Sequence, residues 1–264
     1  MKSIIKYLFL YLGVNIITSC ILLIPSIIAL ISMDEALRNA EIMKVSLLSG
    51  ILSWFILFTI LVKKKKIVIN REIFFKNCSF LSTLVLIPMS LGCVYISLTI
   101  QSLLDLPDTS GETLLSAATS PIGIISVVVM APIFEELFFR GVIMTKLMER
   151  STPWQSIIGS ALIFGIIHFN PAQVFNAFLL GILLGWIYYK TESLWASITI
   201  HFINNGIAVL FINLFPTRVE ESIIELSGGI PQFIALFVIS VAIIALGIYY
   251  FNRNAKEKPL LMEE

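Results

Sequence analysis

Glu135 and Glu136 stand side by side in the apolar stretch Ala131-Pro132-Ile133-Phe134-Glu135-Glu136-Leu137-Phe138-Phe139-Arg140-Gly141, which also carries a guanidinium. Charge is costly there. An ionisable side chain near a bilayer centre costs at least roughly 2.5–3.5 kcal/mol, so a group of them needs partners and marks a functional site. On a helix Glu136 and Arg140 share a face, with the acid ahead of the base in the favourable order, and are expected to pair. Glu135 is turned about 100° from Glu136 and is the carboxylate left for chemistry.

The chain has two histidines, His168 and His201, and both lie in apolar runs. Phe164 precedes His168 by one helical turn and is expected beside it. His201 and Asn205 have the same spacing, so an imidazole and an amide can both donate to a single oxygen. Asn204 is expected to point elsewhere, into a helix–helix contact. A carboxylate beside an imidazole can act as a general base on water, and two donors aimed at one oxygen can hold the charge that develops on an attacked carbonyl. Two histidines and a glutamate are also a zinc donor set with an open fourth position. The lack of an H-E-x-x-H motif, and an asparagine better suited to donate than to ligate, favour the metal-free reading. No cofactor is therefore expected, the alternative being zinc or another divalent metal on Glu135, His168 and His201.

The elements that must position these groups are membrane helices. A chain of 264 residues with 58% hydrophobic content, 13% charged residues and a mean hydropathy of +0.95 is an all-α polytopic membrane protein rather than a soluble globule. Taking about 20 apolar residues per crossing, about eight spans are expected, at roughly 7–32, 44–62, 78–100, 121–149, 154–170, 172–190, 194–214 and 231–251. The site then lies among spans 4, 5 and 7. Ser120-Pro121, Thr152-Pro153 and Ser193 read as helix starts, and Asn170-Pro171 as a break. Pro132 predicts a kink that frees a backbone carbonyl beside the acidic pair. Glu135 and His168 are equidistant from the turn at Arg150 to Pro153, which places them at one depth, each about 21–25 Å along its helix. His201 is not brought level by the same count, so tilt or a shallow turn at 170–171 must close the offset.

Basic residues set the orientation. With the N-terminus cytoplasmic, Lys2, Lys6, the run Lys63 to Lys66, Arg71, Lys76, Lys146, Arg150, Lys190, Arg253, Lys256 and Lys258 fall inside, against Arg38, Lys44 and Arg218 outside. The outer loops carry Asp34, Glu35, Asp105, Asp108, Glu112, Glu220, Glu221 and Glu225. The lysine run reads as a stop-transfer flank. The net charge of +1 argues nothing about nucleic acid, because the basic residues are partitioned by side of the membrane rather than gathered into a groove. Cys20, Cys78 and Cys93 lack metal-ligand spacing and read as small core residues. The first apolar run is too long for a signal-peptide core and is expected to remain as a span. His168-Phe169-Asn170 and His201-Phe202-Ile203-Asn204 echo each other too faintly to indicate duplication, and the stretches around 101–120 and 215–230 are loop-sized. The whole chain, 1–264, reads as one integral membrane domain with a motif-bearing core at 120–210.

Glu-Glu-x-x-x-Arg, Phe-x-x-x-His and His-x-x-x-Asn, in this order on three spans, resemble the CPBP family of intramembrane endopeptidases. That family includes the type II CAAX prenyl endopeptidases and the bacterial Abi, or bacteriocin self-immunity, proteins. The resemblance implies a hydrolase in which Glu135 and His168 activate a water and His201 with Asn205 stabilise the oxyanion, with Glu136, Arg140 and Phe164 in support. The family is often labelled metalloprotease. The implied partner is a membrane-associated or lipidated peptide in the bilayer, probed by a protein of the plasma (inner) membrane with cytoplasmic termini. Two rival readings are a proton-coupled transporter, which the clustering of charge at one level and the lack of a repeat argue against, and a non-catalytic immunity or scaffold protein of the same fold.

Overall fold

In lipid, a backbone that satisfies its own hydrogen bonds must be helical, and the long apolar runs of this chain are. The computed structural model describes residues 2–31, 33–67, 69–104, 106–107, 111–219 and 221–254, and among them there is no strand. The helices are α1 (Lys2–Ile31), α2 (Glu35–Lys63), α3 (Arg71–Phe75), α4 (Phe80–Leu104), α5 (Gly111–Ala118), α6 (Pro121–Met148), α7 (Pro153–Ile166), α8 (Pro171–Thr191), α9 (Leu194–Leu214), α10 (Ile223–Ser227) and α11 (Ile230–Asn254). Short helices α5 and α10 thus occupy the two stretches expected as loops. Asp105, Asp108, Glu220, Lys256 and Lys258, and the side chains of Lys2, Glu35 and Glu112, lie outside the described residues.

Seven of these helices are long and apolar enough to cross a membrane, and the expected eighth is not. Helix α7 has 14 residues, which is about 21 Å against a hydrocarbon core of about 30 Å. It starts on a Thr152 capping box with Pro153 in the first turn and stops at Ile166, ahead of the boundary expected at 170. The reason lies in the turn. Pro171 holds Asn170 extended, at φ −122° and ψ 123°, because a residue before proline is disfavoured in the helical region. Phe169 is left-handed, with φ +56°. The Asn170 side chain then accepts from the N–H groups of Ala172 and Gln173 and starts α8.

Helices α7 and α8 form the tightest hairpin, because small residues let the backbones meet. A Cβ on Gly165 would stand 2.6 Å from the Val174 carbonyl oxygen, and one on Gly181 would stand 3.0 Å from the Ala161 Cα. Helices α1 and α2 form a second hairpin, joined by hydrogen bonds from Thr18 to Ser53 and from Ser19 to Ser49. It is fixed to α6 by aromatic rings: Trp54 stacks on Phe134 at 6.0 Å and Tyr11 on Phe138 at 5.5 Å. Helix α4 packs against α9 and α11. The segment between α2 and α4 folds under the bundle, where the Ser193 hydroxyl donates to the Phe74 carbonyl and Lys76 pairs with Glu192 at 2.9 Å.

The cysteines correct the sequence reading. Cys20 is exposed, and Cys78 and Cys93 are half-buried. On a membrane helix an apolar thiol satisfies its surroundings facing lipid as well as facing the core, so composition alone could not place them.

Candidate active site

The acidic pair sits between two irregular turns of α6. Residues Ile125–Met130 and Phe139–Met144 are π-helical, and the α-helical segment between them, Ala131–Phe138, holds both glutamates. The expected kink at Pro132 is absorbed in the first π turn. There the Ala131 N–H bonds to the Ser126 carbonyl, five residues back. The next bond in that register would run from residue 132 to Val127, and proline has no N–H to give. The Val127 carbonyl is therefore orphaned inside the bundle, and the Asn205 Nδ2 on α9 donates to it at 2.9 Å. In the second π turn the loosened carbonyls of Phe139 and Arg140 accept from the Ser160 and Thr145 hydroxyls.

Glu136 and Arg140 pair at 2.8 Å, both wholly buried. The pair does more than lock one helix. The other terminal nitrogen of Arg140 donates to the Gly181 carbonyl on α8 at 3.0 Å, and the guanidinium lies over the Phe164 ring at 4.9 Å. Glu136 Oε1 accepts a second bond, from His201 Nδ1 at 3.0 Å. This link between α6 and α9 was not foreseen. No spacing in the sequence distinguishes a carboxylate that serves one cation from one that serves two donors.

Those bonds decide the histidine tautomers. The Glu136 carboxylate, charged opposite Arg140, can only accept, so His201 carries a proton on Nδ1. His168 has the same arrangement. Its Nδ1 lies 2.8 Å from the Phe164 carbonyl, which also only accepts. His168 is not on a helix face as expected but in the turn beyond α7, and its side chain caps one of the carbonyls that a helix end leaves without partners. Each ring thus spends Nδ1 on a fixed acceptor and keeps Nε2 for the site. The same outer bonding orients histidines that work on water or metal.

Phe164 brings the rings together. Its centroid is 5.2 Å from that of His168 and 5.7 Å from that of His201, both edge to face. The two rings are therefore close together despite the level offset counted along the chain. Glu135 stands beside them: its Oε2 is 3.8 Å from His201 Nε2, its side chain is 17% exposed, and His168 is near enough for its charge to act on that carboxylate. It is turned from Glu136 along the helix, yet the two share His201, whose ring spans both. Tyr11, on α1, is also within electrostatic range of Glu135. The sequence reading missed it, and a lone tyrosine in an apolar helix carries no signal that would find it.

Asn205 is half-buried, one turn from His201. Asn204 does not point elsewhere. Its Nδ2 donates to Asn205 Oδ1 at 3.1 Å. The donor set Glu135, His168 and His201 has the chemistry to hold zinc, although among the described residues no three His, Cys, Asp or Glu side chains are already grouped as a metal site.

Residues 117–207 match the family described as type II CAAX prenyl endopeptidase Rce1-like. Over this core the chain is similar to that family of membrane endopeptidases. A Bacillus subtilis (strain 168) protein named "Putative membrane peptidase YdiL" is 30% identical over 98 residues, which cover 37% of this chain and 40% of that protein. The chain therefore matches less than half the length of that relative. No solved structure matches significantly. The CPBP-type match spans the segment that contains Glu135, Glu136, Arg140, Phe164, His168, His201 and Asn205.

Proposed function

We propose that this chain is an intramembrane endopeptidase that hydrolyses a peptide bond of a membrane-associated or lipidated peptide without a metal. The observation that carries the reading is the orientation of the two imidazoles. With Nδ1 of His168 committed to a carbonyl, its bare Nε2 accepts from a water, and Glu135 accepts from the same water. Glu135 takes the proton as the water oxygen bonds to the substrate carbonyl carbon, and returns it to the nitrogen when the C–N bond breaks. The carbonyl oxygen, negative in between, is held by the second Nδ2 hydrogen of Asn205 and by His201 Nε2. Because Nδ1 of His201 already carries a proton, Nε2 donates only from the imidazolium, which in that form lies between the Glu135 and Glu136 carboxylates. Each such donor contributes about 2.7–4 kcal/mol to holding the transition state.

The basic residues Lys6, Lys63 to Lys66, Arg71, Lys76 and Lys190 support cytoplasmic termini in a plasma (inner) membrane. The decisive experiment compares the membrane peptidome of cells carrying the wild-type chain with that of cells carrying Glu135→Gln. At least one cleavage should vanish, and the matching synthetic peptide should be cut by purified wild-type protein only. A peptidome that Glu135→Gln leaves unaltered overturns the peptidase reading.

A further inference from the structure

Asn205 is the one proposed transition-state donor whose orientation is chemically determinate from both of its ends. Val127 O, deprived of a backbone donor by Pro132, can only accept, so the nitrogen of the Asn205 amide faces α6. That leaves Oδ1 on the opposite side, where the donor is Asn204 Nδ2 at 3.1 Å. With both bonds made, the amide plane is fixed and one Nδ2 hydrogen is left over. Without Asn204, the Val127 bond alone still permits rotation about that single contact, and Oδ1 sits half-buried without its donor.

We propose that Asn204 is a positioning residue: its amide locks the Asn205 carboxamide so that the remaining Nδ2 hydrogen points at the oxyanion of the substrate. The inference rests on Asn205 acting as an oxyanion donor, and Asn204 itself touches no reacting atom. Its donor group and its length matter separately. An aspartate at 204 is almost isosteric but offers only oxygen to Asn205 Oδ1, whereas a glutamine keeps the donor on a longer arm.

The test uses the full-length protein in detergent and, as probe, an internally quenched synthetic copy of a peptide whose cleavage Glu135→Gln abolishes. Asn204→Asp should lower kcat by about ten- to a hundredfold, with KM within twofold and an unchanged melting temperature. Asn204→Gln should recover much of the loss. The double variant Asn204→Leu with Asn205→Leu should be no slower than Asn205→Leu alone, because a residue that acts through Asn205 has nothing left to position. Full activity in Asn204→Asp, when Asn205→Leu is inactive, overturns the positioning role and leaves the peptidase reading standing. Losses that multiply in the double variant, or that track a fall in melting temperature, also overturn it. If Glu135→Gln changes no cleavage, both the peptidase reading and this role fall together.

Discussion

His201 shows how much of the site is decided by what a side chain does with its far end. Its Nδ1 is held by Glu136, whose charge Arg140 balances, so the three behave as one unit that aims Nε2 at Glu135. Glu136→Gln removes that unit's anion while nearly preserving shape. It strands Arg140 in a wholly buried place, and loss of one member of such a pair costs roughly 3–5 kcal/mol. Purified Glu136→Gln protein should therefore melt at a clearly lower temperature and also lose cleavage, although Glu136 lies outside the reacting groups. Glu135→Gln, by contrast, should melt near the wild-type temperature and be inactive. A pair of melting curves beside a pair of rate measurements separates the two adjacent carboxylates, which the sequence presents as equivalent.

Helix α6 works because it is irregular. Its two π turns flank the acidic pair, and the first one makes Pro132 the reason that Val127 O seeks Asn205. Pro132→Ala restores a backbone N–H able to reach that carbonyl. The helix should hold at least as well, yet Asn205 loses its anchor, so cleavage should fall about tenfold while melting does not drop. An opposite result, lowered stability with full activity, would show that the carbonyl has no part in aiming Asn205. The α7–α8 hairpin makes a complementary prediction. Gly181 both admits Ala161 and offers its carbonyl to Arg140. Gly181→Val should cost roughly 1–3 kcal/mol through overpacking and displace Phe164 from between the histidines, which a melting curve and a rate on the same sample will register together.

The molecule as a whole is a helical bundle in which one partner of the α7–α8 hairpin is shorter than a full span, and two cytoplasmic termini require that α7 and the turn after it nevertheless carry the chain across. Helix α7 ends at Ile166, and its last carbonyls need donors. His168 supplies a partner for one of them, which leaves its Nε2 unspent. The orientation proposed for the bundle is checked by labelling single cysteines in a chain whose native cysteines are replaced by alanine. Lys65→Cys should react with an impermeant maleimide only in inverted vesicles, and Glu225→Cys only from outside intact cells. The reverse pattern would place both termini on the far side.

Much of this protein is legible along the chain because bilayers impose a one-dimensional rule: apolar runs of sufficient length become helices, and the charges that interrupt them cluster where chemistry is done. Glu135, Glu136, Arg140, His168 and His201 stand out on that ground, as do the proline and asparagine boundaries, whereas Phe164 and Asn205 are picked out only by their spacing from the histidines. The rule also explains why seven helices rather than eight reach span length, since α7 is apolar but is shortened by a turn at 167–170 that hydropathy does not register. Which nitrogen of His201 faces the site, that Glu136 serves His201 as well as Arg140, and that Asn205 reaches the Val127 carbonyl are matters of contact between segments far apart in the chain, while the local bonds of His168 to Phe164 and of Asn204 to Asn205 depend on side-chain directions that spacing does not fix. Spacing on one helix sets which residues share a face, but hydrogen bonds are directional and made in space, so their partners were settled only when α6, α7 and α9 came together.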